Sequence, residues 1–105
     1  MSLNEKNKKH LRKLGHELQP LLSTGNAGVT PGFLAELDST LDHHELLKIR
    51  VRSSDRDARD EMIREISVAS RAELVQRIGN VALLWRPNPD ERKILLPKTA
   101  TRSDI

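Results

Sequence analysis

The chain has 105 residues and a formal net charge of +3, with 36% hydrophobic and 31% charged side chains. A chain of this length can build one hydrophobic core but not two. Cysteine is absent, which excludes a disulfide scaffold, a thiolate zinc site and a cysteine nucleophile.

The first predicted element is a basic helix. Asn4 is suited to cap it, and it is expected to run from Glu5 to about His16. Leu11, Leu14 and Leu18 recur at spacings of three and four and form one apolar stripe. Lys6, Lys9 and Lys13 recur in the same way on another face, so three cations line one exposed ridge. Residues 5–13 also hold Lys8 and Arg12 against a single acid, Glu5. The charged run Glu5-Lys6-Asn7-Lys8-Lys9 leads into no apolar stretch of signal-peptide length, and no segment approaches the roughly 20 apolar residues that span a bilayer. The expectation is a cytoplasmic protein without a membrane partner.

Gln19 to Thr24 contains Pro20 and is too short for a helix, so it reads as a strand. Gly25-Asn26-Ala27-Gly28 then breaks the chain. Thr30 caps the next helix and Pro31 takes its first position, with Phe33, Leu34, Leu37 and Leu41 inward and an end near His43. From His44 to Arg52 the pattern alternates: Leu47, Ile49 and Val51 to one side, Lys48, Arg50 and Arg52 to the other. Asp55 caps a third helix to about Ser70, with Met62, Ile63, Ile66 and Ala69 inward. Its first half carries Asp55, Arg56, Asp57, Arg59, Asp60, Glu61, Arg64 and Glu65, whose charges nearly cancel. Leu74–Ile78 and Val81–Arg86 form two strands joined by a Gly79-Asn80 turn. Pro87 and Pro89 end the last strand, Arg92 to Pro97 is again extended and apolar, and 98–105 form a flexible tail. The expected fold is α/β: a helix followed by βαβαββ around a mixed four-stranded sheet, as one domain over 1–97.

Gly25, Asn26, Ala27 and Gly28 lie between a strand and a helix. Backbone amides there sit near a positive helix end, and glycine lets another backbone approach, which is the arrangement that receives a phosphate. A G-x-x-G spacing alone also describes a plain tight turn. The strand cations Lys48, Arg50 and Arg52 and the helix ridge Lys6, Lys9 and Lys13 each describe a solvated surface when taken singly. Both beside a phosphate-type loop point to a polyanionic partner.

At this point the chain resembles a known family, the bacterial YhbY proteins, which consist of a single CRM (chloroplast RNA splicing and ribosome maturation) domain. The resemblance covers about residues 5–97. It is carried by Lys9-His10-Leu11-Arg12-Lys13-Leu14-Gly15-His16 and Gly25-Asn26-Ala27-Gly28-Val29-Thr30-Pro31-Gly32. Leu41-Asp42-His43-His44-Glu45-Leu46-Leu47-Lys48-Ile49 and Arg92-Lys93-Ile94-Leu95-Leu96-Pro97 continue it. Four blocks in order are far more specific than a glycine pattern. The resemblance implies a fold similar to the C-terminal domain of a bacterial initiation factor, with a KH-like G-x-x-G loop on RNA backbone. It further implies a monomer associated with large-subunit (23S-type) ribosomal RNA in precursor particles. Asn26 and Ala27 are uncharged where many phosphate-gripping loops carry Lys or Arg, so electrostatic affinity must come from the basic surfaces.

Other features lead elsewhere. His43 and His44 invite a metal reading, but adjacent residues diverge, and imidazoles at a helix C-terminus fit its dipole without any ion. There is no G-x-S-x-G elbow and no Lys-Ser/Thr ending to the glycine loop, so neither a catalytic site nor a cofactor is expected. Trp85 shares a face with Val81 and Leu83, which assigns it to the core. The competing expectation is a protein-interaction adaptor whose basic surface meets an acidic protein.

Overall fold

The computed structural model describes residues 3–53, 55–90 and 94. The extended stretch expected over 92–97 and the tail over 98–105 lie outside these residues, Ile94 excepted. The elements are α1 (Glu5–Gly15), β1 (Pro20–Ser23), α2 (Pro31–His44), β2 (Leu46–Arg50), α3 (Arg56–Ser70), β3 (Glu73–Ile78) and β4 (Val81–Trp85). They follow the expected order, and each helix starts where a polar side chain can take up a free amide. Asn4 Oδ1 accepts from Asn7 N at 2.7 Å, Thr30 Oγ1 from Phe33 N at 3.1 Å and Asp55 Oδ2 from Ala58 N at 3.3 Å.

The sheet is mixed and ordered β1-β2-β4-β3. β1 runs parallel to β2, and the β2–β4 and β4–β3 pairs are antiparallel. α2 and α3 cover one face, where Phe33, Leu37, Leu41, Ile63 and Ile66 pack on Leu47, Ile49, Val51, Ala82 and Leu84. α1 covers part of the other face, where Leu11 packs with Leu46, Val75, Leu83 and Trp85. The molecule thus has three layers with an apolar cluster on each face of the sheet, which corrects the expectation of a single core, because α1 covers the face that α2 and α3 leave open. Trp85 is buried as its alternation indicates.

Several boundaries and inward assignments differ from expectation for identifiable reasons. Leu14 is 39% exposed; the α1 position pressed on the sheet is Gly15, where a Cβ would lie 2.7 Å from Leu83 Cδ2. β2 begins only at Leu46, because Glu45 closes α2 with φ +62° and buries its side chain. It ends at Arg50: Val51 N still donates to Asn80 O in the β2–β4 register, but Arg52 N leaves the ladder for Thr24 Oγ1. On α3 Ala69 is exposed and Ser70 is buried, its hydroxyl donating to Ile66 O at 2.7 Å.

Candidate nucleic-acid interface

The glycine segment is a closed turn. Gly25 and Gly28 form an antiparallel bridge, Gly28 N donates to Gly25 O at 3.0 Å, and Gly28 adopts φ +77°. That corrects the expectation of unpaired amides at this position, since the Gly28 N–H is already satisfied within the turn. Gly25, Asn26 and Ala27 are exposed, and a Cβ at Gly25 would meet nothing within 4 Å. The turn leads into the N-terminus of α2, whose first turn carries no acid.

The foot of the turn is tied to the strand cations. Thr24 is buried; its N–H donates to Arg50 O at 3.0 Å and its hydroxyl accepts from Arg52 N at 2.9 Å. The Arg52 guanidinium Nε donates to Ser23 Oγ at 2.9 Å, so Arg52 is anchored beside the turn. Lys48 and Arg50 lie on the α1 side of β2. α1 leaves this part of the face uncovered, and both side chains line an open groove of about 290 Å³. Lys9, Arg12 and Lys13 line a second, wider hollow along α1. His16 and Gln76 line both depressions and so join them into one surface. Lys6 is exposed one turn earlier on the same helix.

All ten residues singled out in the sequence are therefore found along the β1–α2 turn, β2 with the residues just after it, and α1, but their settings differ. Lys48 and Arg50 are half-buried at a groove, not spread over an open strand face. Arg12, His16 and Gln76 belong to the same surface and were not among the ten. Arg12 and His16 sit in the basic run, but nothing in the sequence marks Gln76, because a β-bulge between Leu74 and Gln76 sets which side it faces.

Electrostatics separates the two faces. Among the described residues the ion pairs are Arg64 with Glu61, Arg77 with Asp60, and Arg86 with Asp38 and Asp42. All lie on the side of α2 and α3. Lys6, Lys8, Lys9, Arg12, Lys13, Lys48, Arg50 and Arg52 take part in none of them. His43 Nδ1 lies 3.1 Å from Ser39 O, one helical turn back.

A model of the CRS1 / YhbY (CRM) domain matches residues 3–86. The chain belongs to this family. A protein of Pseudomonas aeruginosa named "probable RNA-binding protein" is 41% identical over 95 residues, spanning 90% of this chain and 91% of the relative. An RNA-binding protein of Haemophilus influenzae is 40% identical over 97 residues, spanning 92% and 97%. The solution structure of a candidate RNA-binding protein from Staphylococcus aureus has a TM-score of 0.77 at 33% identity, covering 91% of this CRM chain and 100% of the other. No helix among the described residues of the CRM domain is long and apolar enough to cross a membrane.

Proposed function

We propose that this CRM domain is a monomeric RNA-binding protein that grips phosphates with the α1 side of its sheet, and that its target is large-subunit ribosomal RNA during ribosome assembly. The observation that carries the reading is the charge partition: every ion pair among the described residues, those of Arg64, Arg77 and Arg86, lies beside α2 and α3, whereas no cation of α1 or β2 makes one. An unpaired cationic surface releases counterions when it meets phosphate, and that release is the main source of affinity for nucleic acid. The names of the Pseudomonas and Haemophilus relatives support the same class of ligand. In this reading Lys6, Lys9, Lys13, Lys48, Arg50 and Arg52 contact phosphates, and the Gly25–Gly28 turn approaches the backbone. With Trp85 buried, contact is through cations and amides rather than ring stacking.

The test is to crosslink the protein to RNA in cell extract and sequence the attached fragments. Enrichment of large-subunit ribosomal RNA is expected; fragments spread evenly over cellular RNA would defeat the assembly role. Competition on heparin separates RNA from an acidic protein: structured ribosomal RNA should displace the protein at far lower concentration. Equal displacement by an acidic protein would favour an adaptor.

A further inference from the structure

The groove beside Lys48 and Arg50 has a built arrangement that a phosphate-gripping surface alone does not require. Strand pairing sets two parallel rows across the sheet. In one, Lys48 on β2 neighbours Leu83 on β4, which neighbours Gln76 on β3; in the other, Arg50 neighbours Val81, which neighbours Ile78. Each row therefore runs from a cation to an aliphatic side chain. The first row ends in an amide and the second in another aliphatic group. Lys48 and Gln76 are two strand spacings apart, about 10 Å between backbones, the reach of one extended nucleotide from phosphate to base edge.

We propose that this groove receives one unpaired nucleotide of the RNA, its phosphate against Lys48 and Arg50, its base on the aliphatic floor, and its edge against Gln76. The proposal rests on the RNA-binding reading and narrows it to RNA with a base out of the stack. The volume, about 290 Å³, lies near the lower end for pockets that take small organic ligands, which fits one base and not several. The floor is apolar and partly solvated, with Ile78 69% exposed, so a base covering it removes hydrocarbon from water. Side-chain amides offer both a donor and an acceptor, which a base edge can match. A paired base cannot enter, because the groove is recessed beside α1 and a duplex keeps its bases stacked inside; an extruded base can.

The experiment compares two RNA stems of equal length, one fully paired and one with a single bulged nucleotide, each of the four bases being tried. Binding to the full chain is followed by fluorescence anisotropy at one salt concentration, and 2-aminopurine at the bulge reports its environment. The bulged stem is expected to bind roughly tenfold more tightly for at least one base, the worth of one matched base edge. Gln76→Ala with Ile78→Ala, at a half-buried and an exposed position of β3, should abolish that preference and the 2-aminopurine signal change. Affinity for the paired stem should stay as it was, with an unchanged thermal melt. Equal affinity of wild type for both stems overturns the base subsite and leaves the cationic surface standing. A double variant that weakens both stems alike also overturns it. Binding to neither stem overturns the RNA-binding reading as well.

Discussion

Gly28 adopts φ +77°, and its N–H closes the turn on Gly25 O. Gly25 lies outside the left-handed region and has open space where a Cβ would project. The two glycines therefore test different things. Gly28→Ala should destabilise the domain by about 1–2 kcal/mol through left-handed strain, which urea denaturation measures. Gly25→Ala should change stability by less than about 0.5 kcal/mol while weakening RNA binding if the turn lies against a phosphate. Normal RNA affinity in a fully folded Gly25→Ala protein would reduce the segment to a turn. Glu45 poses the opposite problem, a carboxylate with no exposed surface. Its Oε2 accepts from Asn88 N at 2.6 Å and its Oε1 from Ile94 N at 2.7 Å, fastening the chain beyond β4 to the end of α2. Glu45→Gln turns one acceptor into a donor facing an N–H. A loss of about 1.5–3 kcal/mol is expected, and a midpoint equal to wild type would show that the carboxylate does not hold the segment.

At the scale of elements, legibility followed sequence distance. Helix starts depend on a cap and an amide three residues away, and Asn4, Thr30 and Asp55 were all readable. The face of β2 was readable too, because alternation is local: Ile49 is fully buried while Lys48 and Arg50 line the groove. Ile49→Ala should therefore cost about 2–4 kcal/mol and Arg50→Ala far less, with RNA affinity moving the other way. If Arg50→Ala proved the more destabilising, the register would be wrong by one residue. Interactions between distant segments were not readable. Glu45 sits between His44 and Leu46 and gives no sign of burial, since its partners lie 43 and 49 residues away. Gly15 carries no local sign of its role, yet its missing Cβ is what lets α1 settle on Leu83. Alanine at Gly15 would gain about 1 kcal/mol of helix propensity. The 2.7 Å approach to a side chain that is itself buried should outweigh this, giving a net loss of about 1 kcal/mol. A stabilised Gly15→Ala would show that Leu83 can move aside into the groove.

At the scale of the whole molecule, a net charge of +3 understates the field, because the sheet separates its charges. On α3, Arg56 and Arg59 alternate with Asp55, Asp57 and Asp60, and Arg77 and Arg86 reach from the sheet side to acids of α3 and α2. That face is close to neutral and offers phosphate little. Cations on α1 meet few acids, so the proposed interface would steer approaching RNA to one side and orient it. Changing Lys6, Lys9 and Lys13 together to Gln tests this. All three are exposed on α1 and none contributes to either core, so the thermal melt should stay the same. Every phosphate that a lysine no longer neutralises takes about 0.7–0.9 off the slope of log affinity against log salt. Three such phosphates would flatten it by about two to three units, which a salt titration of RNA binding resolves. A slope left unchanged, with affinity intact, would take α1 out of the interface and place the burden on Lys48, Arg50 and Arg52. A slope flattened by about one unit would mean that one lysine of the ridge touches phosphate while the others act only through the field.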